Sequence, residues 1–287
     1  MFDFVFTYWE IAVFLMFPMA FISFFVCHIF FSSRQYVFLI ACLFLNFNIY
    51  CDHEKTPSEV PFHVGEKLEY KIFWTGIPVG TCVVEVKGVS EINGKKCWHF
   101  VLNAKTNAFA DVFYKVREHS ESFTAFDLSR SYLYEAEQLE KGKIKKVRLI
   151  FDWDRKQLKY IKNGKDRGWK DILENSFDVL GMFYALRSQK LKDKKEISFR
   201  VSDQKTSVET KMKITNGKKI KFKAKKYKTY LCIPDMKSVR GVFKKSDDAE
   251  LKMWVSQNDI KIPLKISSKV VVGRFTATLV AFKKKKK

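Results

Sequence analysis

The stretch YKIFWTGIPVGTCVVEV, Tyr70 to Val86, reads as β-strand, yet Gly76, Pro78 and Gly80 interrupt its middle. Alternate positions from Leu68 run Leu68, Tyr70, Ile72 and Trp74, then Gly76, Pro78 and Gly80, then Cys82, Val84 and Val86. The inward phase continues while its side chains shrink. Glycine in a strand marks a bulge, a corner or the close approach of another backbone, and proline removes a ladder donor. The stretch predicts one long strand that bends in its middle, with Trp74, Gly76, Pro78 and Gly80 as the bend or as a ligand contact.

A period of two governs the sequence on either side. Val147, Leu149, Phe151 and Trp153 share one face of a strand, as do Ala249, Leu251, Met253 and Val255. Asn-Gly recurs at Asn93-Gly94, Asn163-Gly164 and Asn216-Gly217, and between alternating runs it is a hairpin signal, because both residues tolerate positive φ. Met212 and Ile214 share parity with Ile220 and Phe222, which predicts a three-residue loop around Gly217. One helix is expected near residues 176–189, with Ser176 as N-cap, Asp178 in the first turn and Arg187 and Lys190 at the C-terminal end. Its broad apolar surface predicts burial against the sheet.

The N-terminus is different in kind. Ile11 to Phe31 contains no charged residue, and at helical rise it spans about 30 Å, the thickness of a bilayer core. Arg34 and the shorter apolar run Tyr36 to Cys51 follow, in the pattern of a secretory signal. Either both segments insert as a hairpin, or the second is a signal peptide. Both topologies deliver the remainder outside the cytoplasm. The expected organisation is residues 1–51 as anchor or signal, 52–61 as a Pro-containing linker, and 62–287 as a mostly-β domain with a basic tail.

Net charge is +22, with 53 Lys and Arg against 31 Asp and Glu, so an anionic partner is conceivable. The loop around Gly217 sets Lys211 and Lys213 opposite Lys223 and Lys221, a like-charged ladder that an acidic ligand or lipid surface would relieve. Lysine outnumbers arginine, and that disfavours nucleic acid, whose bidentate recognition uses arginine. Cys82, Cys97 and Cys232 fall in the domain, allowing at most one disulfide there; buried thiols are expected.

Catalytic patterns are missing. Cys97 and His99 share a strand face but stand about 7 Å apart, too far for a nucleophile and base to bond. His119 and Ser120 point to opposite faces. Asp152 and Asp154 share a face opposite Phe151 and Trp153, so a paired-carboxylate acid/base or cation site is conceivable, although an exposed face running into the turn DRKQ is the simpler account. No phosphate-cradling loop, dinucleotide fingerprint or zinc motif is present. No metal, cofactor or catalytic residue is therefore assigned.

The segment GEKLEYKIFWTGIPVGTCVVEV resembles the opening of the bacterial exported proteins grouped as domain of unknown function 3108. SFDVLGMFYALRSQKL resembles that family's helix, and ELKMWVSQNDIKIPLKI with VGRFTATLVAF its terminal hairpin. The resemblance covers about residues 64 to 282 and implies export or lipid anchoring, with no assigned catalytic residue. The doubled apolar N-terminus departs from that pattern.

The combined expectation is a mainly β protein: a curved antiparallel meander or partly closed barrel with one packed helix, preceded by one or two membrane helices. It would sit at the inner membrane facing the periplasm, or in the periplasm after cleavage. Its concave aromatic sheet would bind a lipid, glycan or partner protein without catalysis. The alternatives are a basic adaptor on an anionic surface and, third, a hydrolase of envelope polymers.

Overall fold

The computed structural model describes residues 60–140, 142–204, 207–235, 250–270 and 273–284. The expected membrane or signal segments and most of the linker lie outside them. Among the described residues no helix is long and apolar enough to cross a membrane.

The domain is mainly β. Eight strands run in chain order: β1 (Lys67–Trp74), β2 (Ile77–Ile92), β3 (Lys95–Thr106), β4 (Val116–Ala125), β5 (Ser131–Glu140), β6 (Lys143–Asp152), β7 (Gln157–Lys162) and β8 (Lys165–Asp171). Six follow: β9 (Lys195–Ser202), β10 (Ser207–Phe222), β11 (Lys225–Pro234), β12 (Glu250–Ser256), β13 (Pro263–Val270) and β14 (Gly273–Lys283). A one-turn helix α1 (Ala108–Asp111) joins β3 to β4, and α2 (Val179–Ser188) joins β8 to β9. These two antiparallel meanders become one fourteen-stranded sheet because β1 pairs with β14. The sheet is not closed into a barrel: its edges are β8 and β9, the strands that α2 connects.

The opening stretch does not form one bent strand. Thr75 and Gly76 take φ of 48° and 93°, and the chain reverses there in a two-residue turn that pairs Trp74 with Ile77. Such a turn inverts the facing parity, and a bulge between Ile72 and Phe73 restores it, so Tyr70 faces Cys82 and Leu68 faces Val84. A reversal with a compensating bulge thus leaves the alternation of an unbroken strand. Pro78 lies beyond the ladder to β3, which begins at Gly80. Gly80 answers to close packing: a Cβ there would stand 2.4 Å from the Lys105 carbonyl oxygen.

Asn93-Gly94 and Asn163-Gly164 form the expected turns, with positive φ at all four residues. Asn216-Gly217 does not. Both lie within β10, and the chain reverses instead at Lys223-Ala224, where Lys223 has φ of 52°. Gly217 is required for space, since a Cβ there would lie 2.5 Å from the Thr229 hydroxyl. The expected like-charged ladder disappears with that turn. Lys211 instead faces Ser198 and pairs with Glu196 at 3.4 Å, Lys213 faces Glu196 and Ile233, and only Lys221 opposes a lysine, Lys226.

The helix is fastened at both ends. Asp178, not Ser176, is the N-cap: one carboxylate oxygen accepts from the Leu180 and Gly181 amides, and the other from the Ser122 and Ser131 hydroxyls at 2.6 Å. Gly181 fits against that hydroxyl cluster, where a Cβ would meet Thr124 Oγ1 at 2.6 Å. Arg187 does not reach solvent at the C-terminal end. It is fully buried and donates to both oxygens of Glu66, equally buried, at 2.6 and 3.3 Å. It also donates to the carbonyls of Pro61, Ile260 and Lys261 and lies 5.5 Å from the rings of Phe62 and Tyr184. Leu180 and Tyr184 pack among residues of β1, β2, β3 and β14, while Ala185 and Leu186 pack among residues of β9 to β12.

A charge held in this way is costly to strand but replaceable as a pair. Arg187→Met should lower unfolding free energy by about 3–5 kcal/mol, and Glu66→Leu by a similar amount. The double variant should recover most of the loss in urea titrations. Additive losses would show that each side chain acts alone.

Candidate functional site

The concave face predicted to take a ligand is occupied by the chain itself. Tyr184 stacks on Phe100 with ring centroids 3.7 Å apart, Phe62 meets Tyr184, Trp98 and Phe100 edge to face, and the Trp98 indole donates to the Phe126 carbonyl. Helix α2 fills the curve of the sheet.

On β3 to β8 the opposite face carries rows of residues that run across the strands. One row is Asn103, His119, Glu137 and Lys146; the next is Val101, Glu121, Glu135, Arg148 and Ile161; a third is His99, Phe123, Leu133, Ile150, Lys159 and Trp169. Glu137 pairs with Lys146 at 2.9 Å, Glu135 with Arg148 at 3.0 Å, and Lys159 lies over Trp169. His99 and His119, which no sequence spacing connects, meet at Glu121: His99 Nε2 lies 2.7 Å from one carboxylate oxygen and His119 Nε2 2.8 Å from the other. Phe123 stacks on His99, and Asn103 Oδ1 holds His119 Nδ1. The cluster joins two imidazoles through one carboxylate, with no group placed as a nucleophile; Ser120 points to the other face, where it donates to Glu118. Among the described residues no group of three or more His, Cys, Asp or Glu side chains could hold a metal ion.

Two depressions adjoin on this surface. The larger, about 640 Å³, is lined by the β2–β3 turn, the start of β5, the end of β6 and Trp169 of β8. Tyr132, Trp153 and Trp169 give it aromatic walls, Leu133 and Ile150 its apolar lining, and Glu91, Asp152, Asp154, Lys95 and Arg148 its charges. The smaller, about 370 Å³, holds His119, Glu121, Glu135, Glu137 and Lys146 and shares Arg148 with the first.

The structure therefore brings Asp152 and Asp154 into one groove. Asp152 ends β6, and Asp154 stands in the following turn. Asp152 accepts the Arg155 amide at 3.0 Å and lies 3.7 Å from its guanidinium, so its carboxylate caps the turn that follows β6. The other expected contacts lie elsewhere: Trp74, Gly76, Pro78 and Gly80 at and near the tip of the β1–β2 hairpin, and Lys211, Lys213, Lys221 and Lys223 on β10 and its turn. Cys82, Cys97 and Cys232 are free thiols. Burial pushes the last up to about 12.

Burial alone would raise the Glu121 carboxyl, but hydrogen bonds from His119 and His99 outweigh it and leave the group below its ordinary value. A carboxyl depressed by folding stabilises the native state fully above its unfolded value of 4.5 and loses that contribution as pH falls below it. Melting temperatures should therefore fall less steeply below about pH 4.5 in Glu121→Gln than in the parent chain. Parallel acid limbs would exclude the cluster as a source of acid sensitivity.

A search against curated proteins found no match. Among solved structures, the chain is similar to one from Brucella abortus described as a beta-barrel-like protein of domain of unknown function DUF1849. The identity is 10%, the TM-score 0.52, and the match covers 77% of this chain and 97% of the other, a likeness of fold. The model of the family described as protein of unknown function DUF3108 matches residues 69–280, from the third residue of β1 to a point inside β14, and the chain belongs to that family.

Proposed function

We propose that the protein is a non-catalytic binding component of the bacterial cell envelope, and that its groove between the β2–β3 turn and Trp169 takes an uncharged or zwitterionic glycan. The observation that carries this reading is the groove itself. Tyr132, Trp153 and Trp169 flank a depression of about 640 Å³ in which carboxylates and cations are interspersed. Ligand sites combine apolar walls with a few placed polar groups, and aromatic faces beside paired hydrogen-bonding groups suit the alternating CH and OH surfaces of a pyranose. The mixed signs in the groove disfavour a polyanion there, although the whole chain carries +22. Placement in the envelope rests on the apolar segments before residue 52 and is a proposal of the same standing.

Trp169 is 39% exposed and belongs to an edge strand, so it can be removed without opening the core. Titration of the full chain with N-acetylhexosamine oligosaccharides and soluble peptidoglycan fragments should give saturable binding. Trp169→Ala should weaken it by about tenfold or more, the cost of one aromatic anchor, at little change in melting temperature. Equal affinity in parent and variant, or no saturable binding to any envelope glycan, would refute the reading.

A further inference from the structure

The loop between β3 and β4, NAFADVFYK from Asn107 to Lys115, is built with its polarity reversed. Its Asn107 and Asp111 side chains turn toward the protein. Asn107 caps α1 by accepting from the Ala110 amide, donates to the Pro78 carbonyl at 2.7 Å, and its backbone amide donates to Val79. Asp111 accepts from the Thr106 hydroxyl and from both terminal nitrogens of Arg117, at 2.9 and 2.5 Å. Thr106 also accepts from the Val116 amide, so the two ends of the loop are tied together. Those hydrogen bonds hold the Asp111 carboxyl down at about 2, which keeps the tie intact across physiological pH.

The apolar side chains are turned outward. Val112 is 78% exposed, Phe113 76% and Phe109 56%, and the two phenyl rings meet edge to face at 5.7 Å. Ile77, at 46%, adds to them from the neighbouring β1–β2 hairpin, to which Asn107 binds the loop. A loop that spends its polar groups on its own anchoring and leaves large side chains in water marks an interaction surface. Its surroundings name the partner. Exposed Lys71, Lys105 and Lys115 border it, Lys71 and Lys105 lying in one row across Thr81 of β2, while its one carboxylate, Asp111, is neutralised by Arg117. Aromatic and aliphatic side chains ringed by lysines complement a bilayer surface that carries anionic headgroups.

We infer that the α1 loop, through Phe109, Val112 and Phe113, inserts into the interfacial region of an anionic phospholipid membrane, with Lys105 and Lys115 at the level of the phosphates. The inference rests on the envelope reading for the lipid the loop would meet and is independent of the groove and of any glycan.

Hydrogen exchange of the full chain tests it at the loop itself, so that anchoring by residues 1–51 does not mask the result. The chain would be reconstituted in phosphatidylcholine vesicles with and without phosphatidylglycerol, and also kept in dilute detergent. Exchange over residues 107–116 should slow several-fold in the vesicles containing phosphatidylglycerol, less in phosphatidylcholine alone, and not at all in the variant Phe109→Ser/Phe113→Ser. Strands β3 and β4 should exchange alike in all samples, which separates loss of insertion from loss of fold. Equal loop exchange with and without vesicles would overturn the inference, as would protection that rises with protein concentration in detergent, the sign of a second copy on this patch. Neither result bears on the glycan titration.

Discussion

The buried contact between Arg187 and Glu66 is the constraint on which the rest of the domain turns. A fully buried guanidinium is tolerable only when its charge is matched and its donors are used, and here one carboxylate and three backbone carbonyls use them. The partners come from far apart in the chain: Glu66 from the residue before β1, the carbonyls from residues before β1 and before β13. In the folded domain Arg187 thus ties α2 to the start of the first meander and to the turn before β13. At the other end of α2, Asp178 is held by hydroxyls of β4 and β5. Burial pushes its carboxyl above the ordinary range, against four hydrogen bonds that favour the anion.

Such a helix takes the place of barrel closure. An open sheet of this size leaves two edges, and each is handled separately. Strand β8 is charged and largely exposed along its length, which discourages pairing with another chain. Strand β9 is partly covered by the segment entering α2, where Phe177 makes a short parallel bridge to Val201. Gln204, just past β9, accepts from Tyr160 and Lys170 and links the two edges without a ladder. With the interior filled, the surfaces left open are the opposite face and the loops at the ends of the strands.

Much of the fold was legible because strand alternation and Asn-Gly turns are local signals. Val147, Leu149 and Phe151 are buried on one face as their spacing predicts, and two of three Asn-Gly pairs turn the chain. The errors share one cause. A hairpin with a one-residue bulge has the parity of a continuous strand, so residues 70–86 concealed a reversal, and the parity across Gly217 suggested one that is not there. At both places glycine serves a close backbone or side-chain approach, which only the neighbouring strand reveals. Arg187 was read by its place at a helix end, whereas its surroundings come from distant residues. The same holds for the surface. His99, Glu121 and His119 belong to adjacent strands and become neighbours only once register is set, and Trp169 comes beside Asp152 only after β7 has turned back. Asp152 and Asp154 were the part of the groove that local spacing could show.

The central claim is that α2 is an integral filling of the sheet, so that ligands are left with the outer groove. Hydrogen exchange of the α2 amides under native conditions tests it most directly. If the claim holds, residues 182–188 exchange only with global unfolding, as slowly as the centres of β3 and β4. Exchange of α2 at loop-like rates while those strands remain protected would contradict it, since the helix would then leave an intact sheet and open the aromatic interior to a ligand.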